Sequence, residues 1–356
     1  MFSQQQCTEN LSSNDRKTVD EAILLLGEHG DRDCVMELVR VASTHRDKWL
    51  RVACLEGLEK ISVRTGDLRI LIFAIQFLDH PRNEELLPWL IKIIGVFGKG
   101  PKCRDKIRPF LNDENPRVRS DTAESLDLLG EENMIDLLMP MLSDPNHRVK
   151  STVAKILWKY GGGRMVGVLK DMLTSEDKWD RAAAAFALGE IGGFQVLDLL
   201  RIALKDPAPE VLRNAVKAFG KTGEKGVAAE IMAFLDHPDF EVKKNTIEAL
   251  GKLEHEPALK PISDIAMLKH KEEMVETINK ALVSICKANT SKAVGYLVML
   301  LKNPNDSMRG LASNLLGTIG TRDVIHFLEK IVKDDPEERV REVAQKAIYT
   351  INSKDG

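Results

Sequence analysis

The residue types that could do chemistry are spread thinly along this chain. Its eight histidines are His29, His45, His80, His147, His237, His255, His270 and His326. Five of them stand in or beside predicted turns, where a polar side chain needs no further role. Only His255 is followed by a carboxylate, Glu256, and one such pair cannot furnish the ligands of a metal centre. We therefore predict no metal site.

Motifs for nucleophilic or phosphate chemistry are also missing from the sequence. There is no GxSxG motif, no glycine-rich phosphate loop and no cysteine with an obvious histidine partner. The glycines at 161–163 follow a predicted helix, so we interpret them as a turn. The five cysteines form no CxxC pair, and they are Cys7, Cys34, Cys54, Cys103 and Cys286. The sequence predicts free thiols in a reducing compartment, no catalytic residue and no cofactor.

The composition is that of a globular chain with enough apolar mass for a large core. Of its 356 residues, 43 % are hydrophobic and 29 % are charged, and the net charge is -3. A slightly acidic chain has no global positive charge that would point to nucleic acid. No apolar run approaches the roughly 20 residues that span a bilayer, and the polar N-terminus does not resemble a signal peptide. We expect a cytoplasmic protein.

The elements that must position any functional residue are predicted to be helices. In residues 176–193, EDKWDRAAAAFALGEIGG, small and apolar residues recur at helical spacing. Four consecutive alanines make a thin helix, which is useful only if neighbours pack closely on more than one side. Gly189 and the Gly192-Gly193 pair are predicted to stop this helix.

A turn recurs along the chain with a period near 31 residues. Pro207 and Pro238 are 31 residues apart, and Pro304 and Pro336 are 32 apart. In each period an A helix precedes the turn and a B helix follows it, with Asp near the N-cap and Pro at the start of the helix. A glycine near the end of the B helix is predicted to allow the reversal into the next A helix. The turns lie at residues 79–81, 113–116, 144–145, 176–177, 206–207, 236–238, 303–304 and 335–336.

This periodicity predicts an all-α fold, an α-solenoid of about ten helical hairpins between residues 33 and 352. Residues 1–13 are polar and are predicted to be disordered. Residues 14–352 are predicted to form a single solenoid that begins with a capping helix, and residues 353–356 to form a short tail.

The repeated phrase resembles the HEAT repeat, D-P-x-x-x-V-R-x-x-A-A-x-A-L-G after an A helix with a central proline. The matching dipeptides are Val118-Arg119, Val149-Lys150, Asp180-Arg181, Val242-Lys243, Met308-Arg309 and Val340-Arg341, and the prolines are Pro109, Pro140 and Pro261. The phrase ALGEIGG is similar to bacterial HEAT-like units that also occur in phycobilin lyases. The resemblance covers roughly nine-tenths of the chain and implies a binding surface more than an activity. A HEAT-repeat hydroxylase holds two iron ions with several His-Glu pairs, whereas this chain has one pair.

Three segments depart from the repeat. Residues 82–98 lack the arginine, the unit at 210–222 shifts it to Arg213, and residues 271–288 carry Val275 at the arginine position and lack the glycine. Such a break could kink the array, mark a contact region or reflect tolerated drift, and the sequence leaves these interpretations open.

The third, fourth, seventh, tenth and eleventh positions of each B helix are expected to face a concave groove, as in HEAT arrays. Residues predicted there to bind a partner are Trp89, Lys155, Trp158, Lys159, Phe186, Arg213, Asn214, Lys217, Lys221, Lys244, Asn245 and Lys252. The same register adds Lys92, Asp121, Glu124, Glu248, Lys280, Asn314 and Lys346. Trp158 or Phe186 is the expected aromatic anchor, and Trp49 and Trp179 are interpreted as structural.

These residues predict a non-enzymatic scaffold that binds an acidic protein segment in a basic groove. Two alternatives remain, a nucleic-acid groove like that of HEAT-like alkylpurine DNA glycosylases and a role like that of phycobilin lyases. The low isoelectric point and the carboxylates Asp121 and Glu124 weigh against nucleic acid. Reversing the charges of Lys155, Arg213, Lys217 and Lys244 is expected to leave stability unchanged, since exposed charges contribute little. The oligomeric state does not follow from the sequence.

Overall fold

The computed structural model of the protein describes residues 3–78, 81–268, 272–320 and 322–353, with the side chains of 81–83 and 272 left out. The predicted turn residues Asp79 and His80, His270, and residues 354–356 of the predicted tail lie outside the described residues.

The chain divides into two compact units, residues 1–165 and 166–356. In the first unit the helices are α1 (Gln4–Asn10), α2 (Arg16–His29), α3 (Val35–Thr44), α4 (Lys48–Thr65), α5 (Arg69–Phe77), α6 (Leu87–Phe97), α7 (Gly100–Ile107), α8 (Pro116–Leu128), α9 (Met134–Leu138) and α10 (His147–Gly161). The division falls within α11 (Arg164–Leu173). The second unit continues with α12 (Lys178–Ile191), α13 (Leu197–Ala203), α14 (Pro209–Thr222), α15 (Ala228–Ile231), α16 (Phe240–Lys252), α17 (Leu259–Ile265), α18 (Val275–Ala288), α19 (Thr290–Leu300), α20 (Asp306–Ile319), α21 (Ile325–Asp334) and α22 (Glu338–Ser353).

From α3 to α22 the helices follow one another as ten A–B pairs, and the described residues contain no strand. The B helices are the even-numbered ones from α4 to α22. Several A helices finish in a 3-10 turn, for example at Arg108–Asn112 and Met139–Ser143, where Pro109 and Pro140 stand near its start. The predicted fold class, an all-α solenoid of about ten hairpins, is confirmed. The single solenoid predicted for residues 14–352 stays a prediction, since each unit is described by itself.

The N-terminus differs from the prediction of disorder. Residues 4–10 form α1, whose first turn is capped by the Ser3 hydroxyl accepting from the Gln6 backbone N–H. Cys7 and Leu11 are buried, and α1 packs on α2. Although this segment is mostly polar, Cys7 and Leu11 are spaced four residues apart and lie on one face of the helix. These two buried side chains are enough to pack α1 against α2.

The aspartates in the turns before the B helices do not all have the same role. Asp177 and Asp239 are the N-caps of α12 and α16. Asp144 and Asp206 are not N-caps, because Asn146 and Ala208 occupy that position. Each aspartate instead accepts the backbone N–H two residues later and pairs with the arginine of the preceding B helix. Four such Arg–Asp bridges are present in the described residues: Arg119–Asp144, Arg181–Asp206, Arg213–Asp239 and Arg309–Asp335. Each bridge joins a B helix to the turn that precedes the next B helix.

The alanine-rich helix α12 is as enclosed as its thinness predicts, with Ala182, Ala183, Ala184 and Ala185 all buried. The prediction that Gly189 helps to end this helix is wrong. Gly189 lies inside the helix, whereas Gly192, with φ of 68°, is the C-cap. The helix-internal glycine instead permits a close approach, because a Cβ on Gly189 would lie 2.9 Å from the Cβ of Ala218 in α14.

This close approach recurs wherever neighbouring B helices pack tightly within a unit. A glycine in the C-terminal half of one B helix faces a small residue of the next, and we call this the glycine–alanine contact. It joins Gly95 to Ser125, Gly189 to Ala218, Gly220 to Ala249, Gly251 to Ala281 and Gly317 to Ala347. Where larger residues replace both members, the B helices pack more loosely, as between α4 and α6 and between α18 and α20. The replacing pairs are Glu59 with Ile93 and Val283 with Leu315.

Gly220→Leu should therefore lower the free energy of unfolding by about 1–3 kcal/mol, the usual range for overpacking. A Cβ at this position would lie 2.8 Å from the Cα of Ala249, so the two helices would have to move apart. Gly295→Leu is the control, because a Cβ there meets nothing within 4 Å. Urea denaturation followed by circular dichroism measures both, and equal stability of the two variants would contradict the role of the contact.

Candidate functional site

The predicted binding residues of the first unit are largely engaged with the chain's own charges. Trp89 is half-buried, and its ring lies 4.9 Å from the guanidinium carbon of Arg117 and 5.9 Å from the Lys92 ammonium. Lys92 in turn pairs with Glu59, at 3.2 Å. Both cations near this ring therefore come from the protein itself.

Lys155 and Lys159 of α10 are each paired with a carboxylate of α8. The Lys155 ammonium lies 3.0 Å from a Glu124 oxygen, and the Lys159 ammonium lies 2.8 Å from an Asp127 oxygen. The Asp127 carboxylate, which also accepts from the Tyr160 hydroxyl, raises the pKa of Lys159. These lysines link neighbouring B helices and are not free positive charges. Trp158 is half-buried and occupies the position that is glycine in the tightly packed repeats.

The second unit repeats this pattern for four of its predicted residues. Lys221 pairs with Glu190 of the preceding B helix, α12. Lys252 pairs with Glu248 of its own helix, at 2.6 Å, and this pairing lowers the pKa of Glu248. The carboxamides of Asn214 and Asn245 donate to backbone carbonyl oxygens of the preceding B helix, those of Ala182 and Arg213.

Arg213 belongs to the scaffold. Its guanidinium makes two hydrogen bonds to the Asp239 carboxylate, of 2.9 and 2.5 Å, the same bridge that Arg181 makes with Asp206. Chiefly because of Arg213, the pKa of Asp239 falls to about 2. Arg213 stands one place later in its repeat than Arg181 does, and its partner Asp239 is the N-cap of α16, where it also accepts from the Val242 N–H. The expectation that reversing its charge leaves stability unchanged does not fit this geometry.

Two lysines of the predicted set in this unit have no carboxylate partner within 4 Å in the described part of the chain, Lys217 of α14 and Lys244 of α16. The Lys244 ammonium lies 6.0 Å from the Phe240 ring centroid, the far limit of a cation–π contact. Phe186 of α12, one period before Lys217, is 44 % exposed. These three residues on adjacent B helices are called the Phe186–Lys217–Lys244 patch.

The two tryptophans interpreted as structural lie at the surface instead. Trp49 is 64 % exposed and Trp179 is 45 % exposed. The ammonium of the preceding lysine lies over each ring, at 5.4 Å for Lys48 and 4.9 Å for Lys178. A tryptophan two residues after the N-cap aspartate points outward because the buried stripe of these two B helices begins one or more residues later.

The loose packing between α18 and α20 opens a cleft of about 520 Å³. It is lined by α18, α20 and α22, together with Ala266 and Met267 at the end of α17. Val275, 41 % exposed, stands where other repeats carry arginine or lysine. Asn279 occupies a position that is apolar and buried in α14 and α16, as Val216 and Ile247. The cleft therefore coincides with the third segment that departs from the repeat.

The sequence analysis predicts few of the residues that line the cleft. Asn314 and Lys346 are among those that it predicts to face the groove. The signal was available as the simultaneous loss of glycine at Val283 and of a small residue at Leu315. Each loss alone is tolerable drift, but together they separate two helices.

The described residues contain no group of three or more histidine, cysteine, aspartate and glutamate side chains placed to hold a metal ion. All five cysteines are free and buried, and burial raises the pKa of the Cys54 and Cys286 thiols to about 12. Thiols that stay protonated in the interior are poor nucleophiles. None of the described helices combines the length and apolar composition that crossing a membrane requires.

Sequence comparison finds HEAT repeats at residues 73–158, 104–189, 135–207, 196–282 and 273–348, which together extend over more than half of the chain. The chain belongs to the HEAT-repeat family. No curated protein matches this sequence. HEAT-repeat arrays serve in general as scaffolds for protein interaction, and their fold is typically non-catalytic.

The chain also aligns with solved structures at low sequence identity. An engineered protein aligns with a TM-score of 0.39 and 17 % identity over 99 % of both chains. Importin beta aligns with a TM-score of 0.47 and 15 % identity over 98 % of this chain and 56 % of that one. A mutant of Kap121p aligns with a TM-score of 0.50 and 15 % identity over 98 % and 45 %. This HEAT-repeat chain spans about half the length of the last two proteins.

Replacing Arg213 should distinguish a scaffold residue from a surface residue. We expect Arg213→Ala to lower the free energy of unfolding by about 1–2 kcal/mol, because it removes two charge-assisted hydrogen bonds and leaves Asp239 unpaired. Lys217→Ala, four residues later on the same helix, should change it by less than about 0.5 kcal/mol. Equal effects in urea denaturation would mean that the bridge is not structural.

The same bridge predicts how stability depends on pH. Because the folded-state pKa of Asp239 is about 2, below its ordinary 3.8, the stabilisation is fully present above that ordinary value and is lost as the pH falls through 2. Asp239→Asn keeps an N-cap but removes the charge. The stability difference between wild type and this variant should therefore shrink between pH 4 and pH 2, and a constant difference across that range would contradict the assignment.

Proposed function

We propose that this HEAT-repeat protein is a non-enzymatic scaffold that binds an acidic protein segment on the B-helix surface of its second unit. The carrying observation is that Lys217 and Lys244 lack carboxylate partners in the described residues, while Lys221 and Lys252 nearby are paired. An unpaired ammonium gains a partner on binding without first breaking an internal ion pair. Phe186 beside them supplies exposed aromatic area of the kind that anchors interfaces.

The dimensions of the patch suit a short extended segment. Neighbouring helix axes lie about 8–10 Å apart, so the patch measures roughly 16–20 Å from α12 to α16. Five or six residues of extended chain cover that distance, at about 3.3 Å each. Glu248 is hydrogen-bonded to Lys252, which lowers its pKa. The positive charges of Lys217 and Lys244 lower this pKa further. Because Glu248 pairs with Lys252, an incoming carboxylate can bind Lys217 and Lys244 without displacing an ion pair.

The alternative of nucleic-acid binding receives less support from this geometry. Phosphate binding depends on many unpaired cations along a path. Of the lysines among the twelve predicted binding residues, Lys155, Lys159, Lys221 and Lys252 are in ion pairs. Only Lys217 and Lys244 of that set are unpaired in the described residues. No specific observation supports a role like that of phycobilin lyases.

Reversing both unpaired charges, Lys217→Glu with Lys244→Glu, tests the proposal. Proteins retained from native lysate by wild type should bind this variant at least tenfold more weakly, with or without nuclease, because two charge pairs are replaced by repulsion. The matched control reverses Lys205 and Lys302, which are exposed residues just after the A helices α13 and α19. Melting temperatures should be similar for all three proteins.

Two outcomes would contradict the proposal. An unchanged set of bound proteins in the Lys217/Lys244 variant would remove the patch from the interface. Recovery of nucleic acid, with the bound proteins lost on nuclease treatment, would favour the nucleic-acid alternative.

A further inference from the structure

The cleft between α18 and α20 has the form of a pocket for side chains. Its volume of about 520 Å³ lies within the range of ligand pockets. Ile278, Val340 and Ala347 form a buried apolar base, while Leu311 and Val343 are half-exposed on its walls. No side chain of the described residues fills the space, although an apolar cavity of this size would favour apolar occupants.

The packing of the B helices explains why the cleft is open. The glycine–alanine contact that joins α16 to α18 and α20 to α22 is replaced between α18 and α20 by Val283 and Leu315. Leu315 is buried, so the larger residue is accommodated by separating the helices. Gly310 then leaves the α20 wall bare, because a Cβ built there meets nothing within 4 Å.

The charges around the cleft favour an anionic occupant. Arg339 and Lys346 of α22 line it, and neither has an ion-pair partner in the described residues. The carboxylate of Asp306 is also at the cleft and opposes them, so the lining carries one net positive charge. The carboxamides of Asn279 and Asn314 line the same space, where they can donate to and accept from a peptide backbone.

We propose that this cleft holds an apolar side chain, aromatic or leucine, of an acidic peptide segment whose carboxylates lie against Arg339 and Lys346. This inference rests on the proposed function and deepens it by naming the anchor of the same segment. From α14 to α18, whose residues form one wall of the cleft, is two B-helix steps, roughly 16–20 Å. Five or six extended residues therefore connect Lys217 to the cleft.

The test uses defined peptides. The probes are fluorescein-labelled 12-residue peptides with four glutamates and one phenylalanine, made in both chain directions, and the same peptides with alanine in place of phenylalanine. Fluorescence anisotropy with the full chain should show at least tenfold tighter binding of a phenylalanine peptide than of its alanine counterpart. Gly310→Phe fills the cleft from its own wall and should abolish this preference.

Gly295→Phe is the matched control, because that glycine is also helical and open but lies on the A helix α19. It should retain the preference for phenylalanine. Gly310→Phe should also melt no lower than wild type, because the new ring enters empty space and phenylalanine is a better helix former than glycine. A lower melting temperature would show that the ring has displaced packed residues. In that case Lys346→Glu tests the cleft assignment, because it should weaken the binding of both peptides at least fivefold.

The outcomes separate this inference from the proposed function. Equal affinity for the phenylalanine and alanine peptides, or a preference that survives Gly310→Phe, would overturn the cleft assignment while leaving the scaffold function intact. Weaker binding of both peptides by the Lys217/Lys244 variant, with the preference for phenylalanine retained, would support both. Absence of binding by any peptide would overturn the cleft inference, and the lysate experiment would then judge the scaffold function alone.

Discussion

The contact between a glycine of one B helix and a small residue of the next is the constraint on which the rest of each unit depends. A Cβ at any of these glycines would come within 3 Å of the neighbouring helix, as at Gly251 against Ala281. Such proximity excludes every larger residue and fixes the register between repeats. It also explains why α12 carries four consecutive alanines, because α13 and α14 both pack against this helix.

Charge in this protein serves mainly to join repeats. Lys155 with Glu124 and Lys221 with Glu190 are separated by 31 residues, which is one period, so each lysine meets the carboxylate at the equivalent position of the previous repeat. The Arg–Asp bridges link consecutive turns in the same way. Most of the lysines that the sequence predicts to bind a partner are therefore paired with carboxylates of the array itself. The lysines without such a partner are the better candidates for binding.

The sequence predicts the fold well because a repeat multiplies every weak signal. The period, the helical hairpins and the B-helix register all follow from patterns that recur, and the structure confirms the fold class. The site was less predictable, since exposure depends on what stands one period away. Arg213 illustrates this, because only the position of Asp239 shows that it belongs to a bridge. Comparing each lysine with the residue 31 places earlier would have separated Lys217, preceded by Phe186, from Lys155.

The departures from the repeat carry more functional information than the repeat itself. A matching repeat must satisfy its neighbours, so its surface is largely used for packing and ion pairing. Between α18 and α20 the contact is lost on both sides, at Val283 and Leu315, yet α20 still packs on α19 and α22. The unit can therefore tolerate an open cleft without losing the helix that forms its wall. An array of this kind can leave one interface open because the remaining interfaces supply its stability.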